Sequence, residues 1–164
     1  MRRMTWMGLA VMGVLTLLGP TGWAKGDGRD QLDRDQRVRG CSVGTLRGAY
    51  GIRMQGTRPS APGGPVEDVV GVIWREYDGR GNFRQIDNIK GSISGIVADR
   101  PGFGTYTMNE DCTGTTSFQP GPGATLVESL IAVDGGREVL SVVTSPQPVM
   151  VSSVQTRVAR VPGW

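Results

Sequence analysis

From residue 41 onward, apolar and polar positions alternate with a period of two, the signature of strands with one wet face. The clearest case is 46–57, where Leu46, Tyr50, Ile52 and Met54 share one face and Arg47, Arg53, Gln55 and Thr57 the other. Comparable segments follow at 69–77, 83–93, 104–108, 112–118, 125–133, 137–144 and 149–158. Within 83–93, Phe83, Gln85, Asp87, Ile89 and Ile93 fall on one side. Turn chemistry separates several of them, at Asp78-Gly-Arg-Gly-Asn82, Asn109-Glu-Asp111, Asp134-Gly-Gly136 and Ser145-Pro-Gln-Pro148. Longer breaks are expected at the Pro/Gly run 58–65, at 95–102 with its Asp99-Arg-Pro-Gly102, and at 119–123. No window beyond the N-terminal segment carries the apolar stripe of an amphipathic helix.

Eight strands in succession predict an all-β domain over 41–164. The favoured architecture is an eight-stranded antiparallel up-and-down barrel, because closure removes open sheet edges. A Greek-key β-sandwich is the alternative. An eight-stranded barrel encloses a space just wide enough for side chains or for one small ligand.

The first 24 residues read as a signal peptide: Arg2 and Arg3, an apolar run at 8–19, then Gly22-Trp-Ala24 as a small-x-small cleavage site. That run is well short of the roughly 20 residues a membrane-spanning helix needs. The protein is therefore expected to be exported, to the periplasm or beyond, with no membrane span. Removing the leader changes the charge. The full chain has 18 Lys+Arg against 15 Asp+Glu, and losing Arg2 and Arg3 leaves 16 against 15. A near-neutral mature chain gives no reason to expect nucleic acid as a partner. Residues 25–40 are charged and nearly free of apolar positions, which predicts a disordered lead-in. Two cysteines in an exported chain, Cys41 and Cys112, far apart and with no CxxC, read as a structural disulfide.

Four stretches carry a resemblance: Cys41-Ser-Val-Gly-Thr-Leu-Arg-Gly-Ala-Tyr-Gly51, Tyr77-Asp-Gly-Arg-Gly-Asn82, Gly104-Thr-Tyr-Thr-Met-Asn-Glu-Asp-Cys-Thr-Gly-Thr115 and Val133-Asp-Gly-Gly-Arg-Glu138. In these the chain resembles small exported bacterial barrel proteins of lipocalin-like or allene oxide cyclase barrel-like form. The resemblance implies an eight-stranded barrel and a Cys41–Cys112 bond. It transfers no catalytic residue.

The chain contains no histidine, which removes Ser-His-Asp and Cys-His machinery and the commonest transition-metal ligand. No P-loop or dinucleotide fingerprint occurs, so no cofactor and no metal are expected. Carboxylates remain. Glu128 shares a face with Leu126 and Leu130; facing inward, it would be a candidate acid or a ligand's polar contact. The competing face, Val127, Ser129, Ile131 and Val133, is at least as good a core, and favours Glu128 in solvent. Asp87, beside Phe83 and Ile89, is a second candidate, and Arg75 could pair with either acid.

Tyr50, Trp74, Tyr106 and Phe118 are aromatics placed on strands, expected to cluster inside the barrel as core or as a pocket wall. With Glu128 they form the candidate ligand-binding set. Three functions follow as expectations. The first is non-enzymatic binding of a small apolar ligand or an envelope partner. The second is a cofactor-free cyclase or isomerase using Glu128 or Asp87. The third is a purely structural surface protein.

Overall fold

A computed structural model describes residues 40–121 and 124–158. The expected signal peptide, and the expected lead-in up to residue 39, lie outside these residues. Eight strands run in chain order: β1 Gly48–Pro59, β2 Val66–Tyr77, β3 Asn82–Gly91, β4 Gly95–Met108, β5 Thr113–Gly121, β6 Ala124–Val133, β7 Glu138–Ser145 and β8 Met150–Arg157. Each pairs antiparallel with the next, and β8 pairs with β1 to close the barrel. The up-and-down barrel expected from the alternation is thus the fold, and the sandwich is not.

Inside-outside alternation is strict on β3, where Phe83, Gln85, Asp87 and Ile89 are buried between exposed or half-buried neighbours. The outer wall carries Arg53, Asp68, Glu76, Arg84 and Lys90 among its apolar residues, where a lipid-facing barrel would present a continuous apolar band. Among the described residues no helix is long and apolar enough to cross a membrane.

Four expectations need correction. Residues 95–102 are no loop but the first half of the fourteen-residue β4. Asp99-Arg-Pro-Gly102 looked like a breaker; a register shift between Asp87 and Ile89 on β3, with Asp99 at φ 50°, accommodates it. A proline is tolerated beside such a bulge. The break expected at 119–123 likewise begins inside β5, across a register shift between Phe118 and Gly121. Ile93 leaves the sheet in the β3–β4 turn and is exposed. Leu46 belongs to a short 3-10 turn, Val43–Leu46, and not to β1.

That turn closes one end of the barrel. Leu46 is fully buried there. The Tyr106 hydroxyl donates to Val43 O at 2.8 Å, and Arg157 Nη2 donates to Thr45 O at 2.6 Å. Cys41 and Cys112 are disulfide-bonded with Cα atoms 4.9 Å apart, tying this plug to the β4–β5 turn. The other end, where the turns β1–β2, β3–β4 and β7–β8 lie and where β5 ends and β6 begins, is the mouth.

Candidate functional site

The inward face of β2 reads Glu67, Val69, Gly71, Ile73, Arg75, Tyr77, from mouth to plug. It meets the inward faces of β3 and β6, and the interior divides into three levels.

Nearest the plug lies an aromatic layer. Tyr77 packs edge-on against Tyr50 and Tyr106, with ring centroids 5.3 and 4.9 Å away. Phe83 sits 5.7 Å from Tyr77 and 6.1 Å from Phe118. Gly104 opposes Phe83 because a Cβ there would strike the Phe83 ring. Burial raises the hydroxyl pKa of Tyr50 and Tyr77, although Arg157 and Arg75 respectively act to lower it. Both rings therefore serve as neutral phenols at physiological pH.

Above them lies a polar layer organised by Arg75, which is 1 % exposed. Its Nε donates to Gln85 Oε1 at 2.9 Å, and its Nη1 donates to the Tyr77 hydroxyl at 3.2 Å and to Glu128 Oε2 at 3.1 Å. Thr116 Oγ1 also donates to Glu128 Oε2, at 2.6 Å. The Tyr77 hydroxyl donates onward to Gln155 Oε1 at 2.8 Å, and Gln155 Nε2 is buried with no partner among the described residues. The guanidinium lies 4.3 Å from the centre of the Phe83 ring, a cation–π stack as well as an ion pair.

The third level is a cavity of about 150 Å³, partly open at the mouth. Its floor is Gln85, Glu128 and Ser153 together with Ile73 and Met54. The waist is apolar: Val69, Ile89, Phe118, Leu126, Val143 and Val151. Arg58 and Arg100 stand at the rim. Arg100 grips Asp87 with two bonds, Nε to Oδ1 at 3.0 Å and Nη2 to Oδ2 at 3.1 Å, while its Nη1 donates to Pro120 O. Arg58 Nε donates to Glu67 Oε1 at 3.0 Å. Glu67 also accepts from the amides of Ile93 and Ser94 and from the Ser94 hydroxyl. These bonds, led by those of Ser94, hold its carboxyl down at about 2. Gly91 has no side chain because a Cβ there would overlap the Glu67 carboxylate.

Several sequence candidates meet here and others do not. Glu128 and Asp87 both point inward and line the cavity, each against an arginine. The expectation that Val127, Ser129, Ile131 and Val133 form the core face of β6 is wrong: Ile131 is half exposed, while Leu130 and Ala132 are buried. Burying Glu128 is possible because Arg75 and Thr116, on other strands, compensate it. Phe118 lines the cavity wall; Tyr50 and Tyr106 are buried below it in the plug half and do not reach it. Trp74 is not inside at all. It lies on the outer wall beneath the Arg84 guanidinium, 5.5 Å from the ring centre.

Sequence reasoning missed Glu67, because the apolar pattern starts the second strand at Val69, three residues after its first residue Val66, and Arg100, because it falls in the expected loop 95–102. Extending the period-two face of β2 backward from Val69 would have found Glu67. Against known proteins, no family model, no curated sequence and no solved structure matches this chain.

Proposed function

We propose that this chain is an exported binding protein whose barrel holds a small apolar molecule in its mouth half. The observation that carries the reading is the cavity: about 150 Å³ of space with an apolar waist in a barrel whose other half is tightly filled. A small barrel built only for stability has every reason to fill that volume, since voids forfeit packing energy. The leader-like N-terminus and the Cys41–Cys112 bond support export.

The test is thermal unfolding with toluene as the probe. A ligand at a hundred times its dissociation constant adds about 2.7 kcal/mol of stability, so a saturating probe raises the midpoint by several degrees. Native mass spectrometry of protein purified from its own host looks for the natural occupant. A midpoint unmoved by toluene, together with a ligand-free native mass, would favour the purely structural reading.

The second reading, a cofactor-free isomerase or cyclase, draws on the placement of Glu128 and Asp87 at the cavity wall. Both acids are committed to arginines, and a buried pair of that kind is more often a tie than a base. The bidentate Asp87–Arg100 contact leaves Asp87 the poorer base of the two. Turnover of an epoxide or enone substrate by the wild type, abolished in Glu128→Gln while the fold persists, would move the assignment to this reading.

A further inference from the structure

The cavity's own chemistry narrows the occupant. Size comes first. An apolar protein cavity of about 150 Å³ holds benzene, so a single ring is the natural fit for the volume found here.

Charge comes second. Each acid around the cavity is matched by one base: Glu128 by Arg75, Asp87 by Arg100 and, at the rim, Glu67 by Arg58. A ligand bringing an ammonium or a carboxylate would add an unmatched charge to a desolvated space, which is costly.

Hydrogen-bonding capacity comes third. The two Asp87 oxygens take the Arg100 fork, and Oδ2 also takes Gln85 Nε2 at 3.3 Å. Gln85 Oε1 is occupied by Arg75, and the Ser153 hydroxyl is paired with that of Ser141. At Glu128 both donors, Arg75 and Thr116, converge on Oε2. Among the described residues no hydrogen bond reaches Glu128 Oε1, although the side chain forms part of the cavity floor. A carboxylate oxygen accepts only, so this atom calls for a donor from the occupant.

We propose that the barrel takes a neutral single-ring molecule carrying one hydroxyl, its ring against Ile73, Phe118 and Val151 and its hydroxyl donating to Glu128 Oε1. This rests on the binding reading above and goes further by giving the ligand an orientation and a polar group. Arg75 and Thr116 act as positioning residues, since they hold Oε2 and so aim Oε1 into the cavity.

The experiment compares phenol, toluene and benzylammonium by calorimetric titration of the mature protein, with amide shifts locating each probe. A hydrogen bond to a charged acceptor is among the stronger ones, so phenol is expected to bind about tenfold or more tighter than toluene. Its largest shifts should fall at Thr116, Phe118 and Glu128. In Glu128→Gln, Arg75 and Thr116 retain an oxygen at the Oε2 position, and the amide nitrogen replaces Oε1. The charged acceptor becomes a neutral donor, to which the phenol oxygen can only offer the weaker bond of two neutral groups, and the phenol preference should shrink. If that variant does not fold, the wild-type comparison decides alone. Equal affinity for phenol and toluene overturns the hydroxyl assignment while leaving the binding reading intact. Tighter binding of benzylammonium than of phenol overturns the requirement for neutrality. Phenol shifts confined to the plug half overturn the site. Failure of all three probes at millimolar concentration overturns this proposal and the binding reading together.

Discussion

Leu130 and Leu126 lie on the same inward face of β6, yet they occupy different surroundings. Leu130 is 2 % exposed and belongs to the packed core of the plug half. Leu126 is half-buried and lines the cavity of the mouth half. The same contrast runs around the whole barrel. Toward the plug, three tyrosines, Phe83 and Leu46 fill the space, and a disulfide holds the turn that covers it. Toward the mouth, the aliphatic side chains Val69, Ile89, Val143 and Val151 line the wall without filling the middle. One continuous sheet therefore carries a half organised for stability and a half organised around a space. The Arg75 network forms the partition between them.

The largest effect that sharpens this contrast comes from the plug. Replacing Cys41 and Cys112 together by serine frees a loop closed across a sequence separation of 71 residues. The chain-entropy account then predicts a loss of about 4 kcal/mol. Denaturant titration of the double variant measures it. A loss below about 1 kcal/mol would mean that the hydrogen bonds of Tyr106 and Arg157 hold the plug unaided.

The two leucines give the most direct comparison, because the deletion is chemically identical. Leu130→Ala should cost about 2–5 kcal/mol, the range for opening a hole in a packed core. Leu126→Ala removes a side chain that is only part-buried and borders existing space, so about 1 kcal/mol is expected. It should also enlarge the cavity and admit bulkier probes. Comparable losses from both would erase the distinction between the halves.

The strands, their alternation and the sulfur bridge were legible in the sequence because each depends on local pattern or on a count of two. The facing of β6 was not. Its two faces, Leu126-Glu128-Leu130 and Val127-Ser129-Ile131, differ mainly in the acid, and only Arg75 and Thr116 from distant strands make burying that acid acceptable. Trp74 was misplaced for a related reason. The bulk of an indole suggested the core, but its strand neighbours Ile73 and Arg75 take the inside, and the wet wall offers the ring Arg84 as a partner. The first half of β4 was hidden by a proline that a bulge makes harmless. In each case local residues permitted two answers, and a contact far along the chain selected one.

The smallest expected effect is confined to acid pH and belongs to the mouth. Glu67 accepts bonds from the Ile93 and Ser94 amides, the Ser94 hydroxyl and Arg58, and its carboxyl titrates at about 2 in the folded protein against an ordinary 4.5. A lowered value means that the folded state binds fewer protons than the unfolded chain as pH falls. The stabilisation is therefore complete above the ordinary value and is lost progressively between about 4.5 and about 2. Asp78 and Asp111, lowered by their bonds to Asn82 and Thr113 in plug-end turns, add to the same acid limb. A variant must therefore isolate the contribution of Glu67. Glu67→Gln cannot titrate, and its amide nitrogen would confront backbone donors, so it should be less stable than the wild type at neutral pH. The gap between the two should narrow as pH falls toward 2, with the protection of the Ile93 and Ser94 amides, relative to their intrinsic exchange rates at each pH, falling in the wild type over that window and staying flat in the variant. Melting curves that stay parallel from neutral pH down to 2 would show that the rim of the mouth is held by the backbone turn alone, without help from the charge on Glu67.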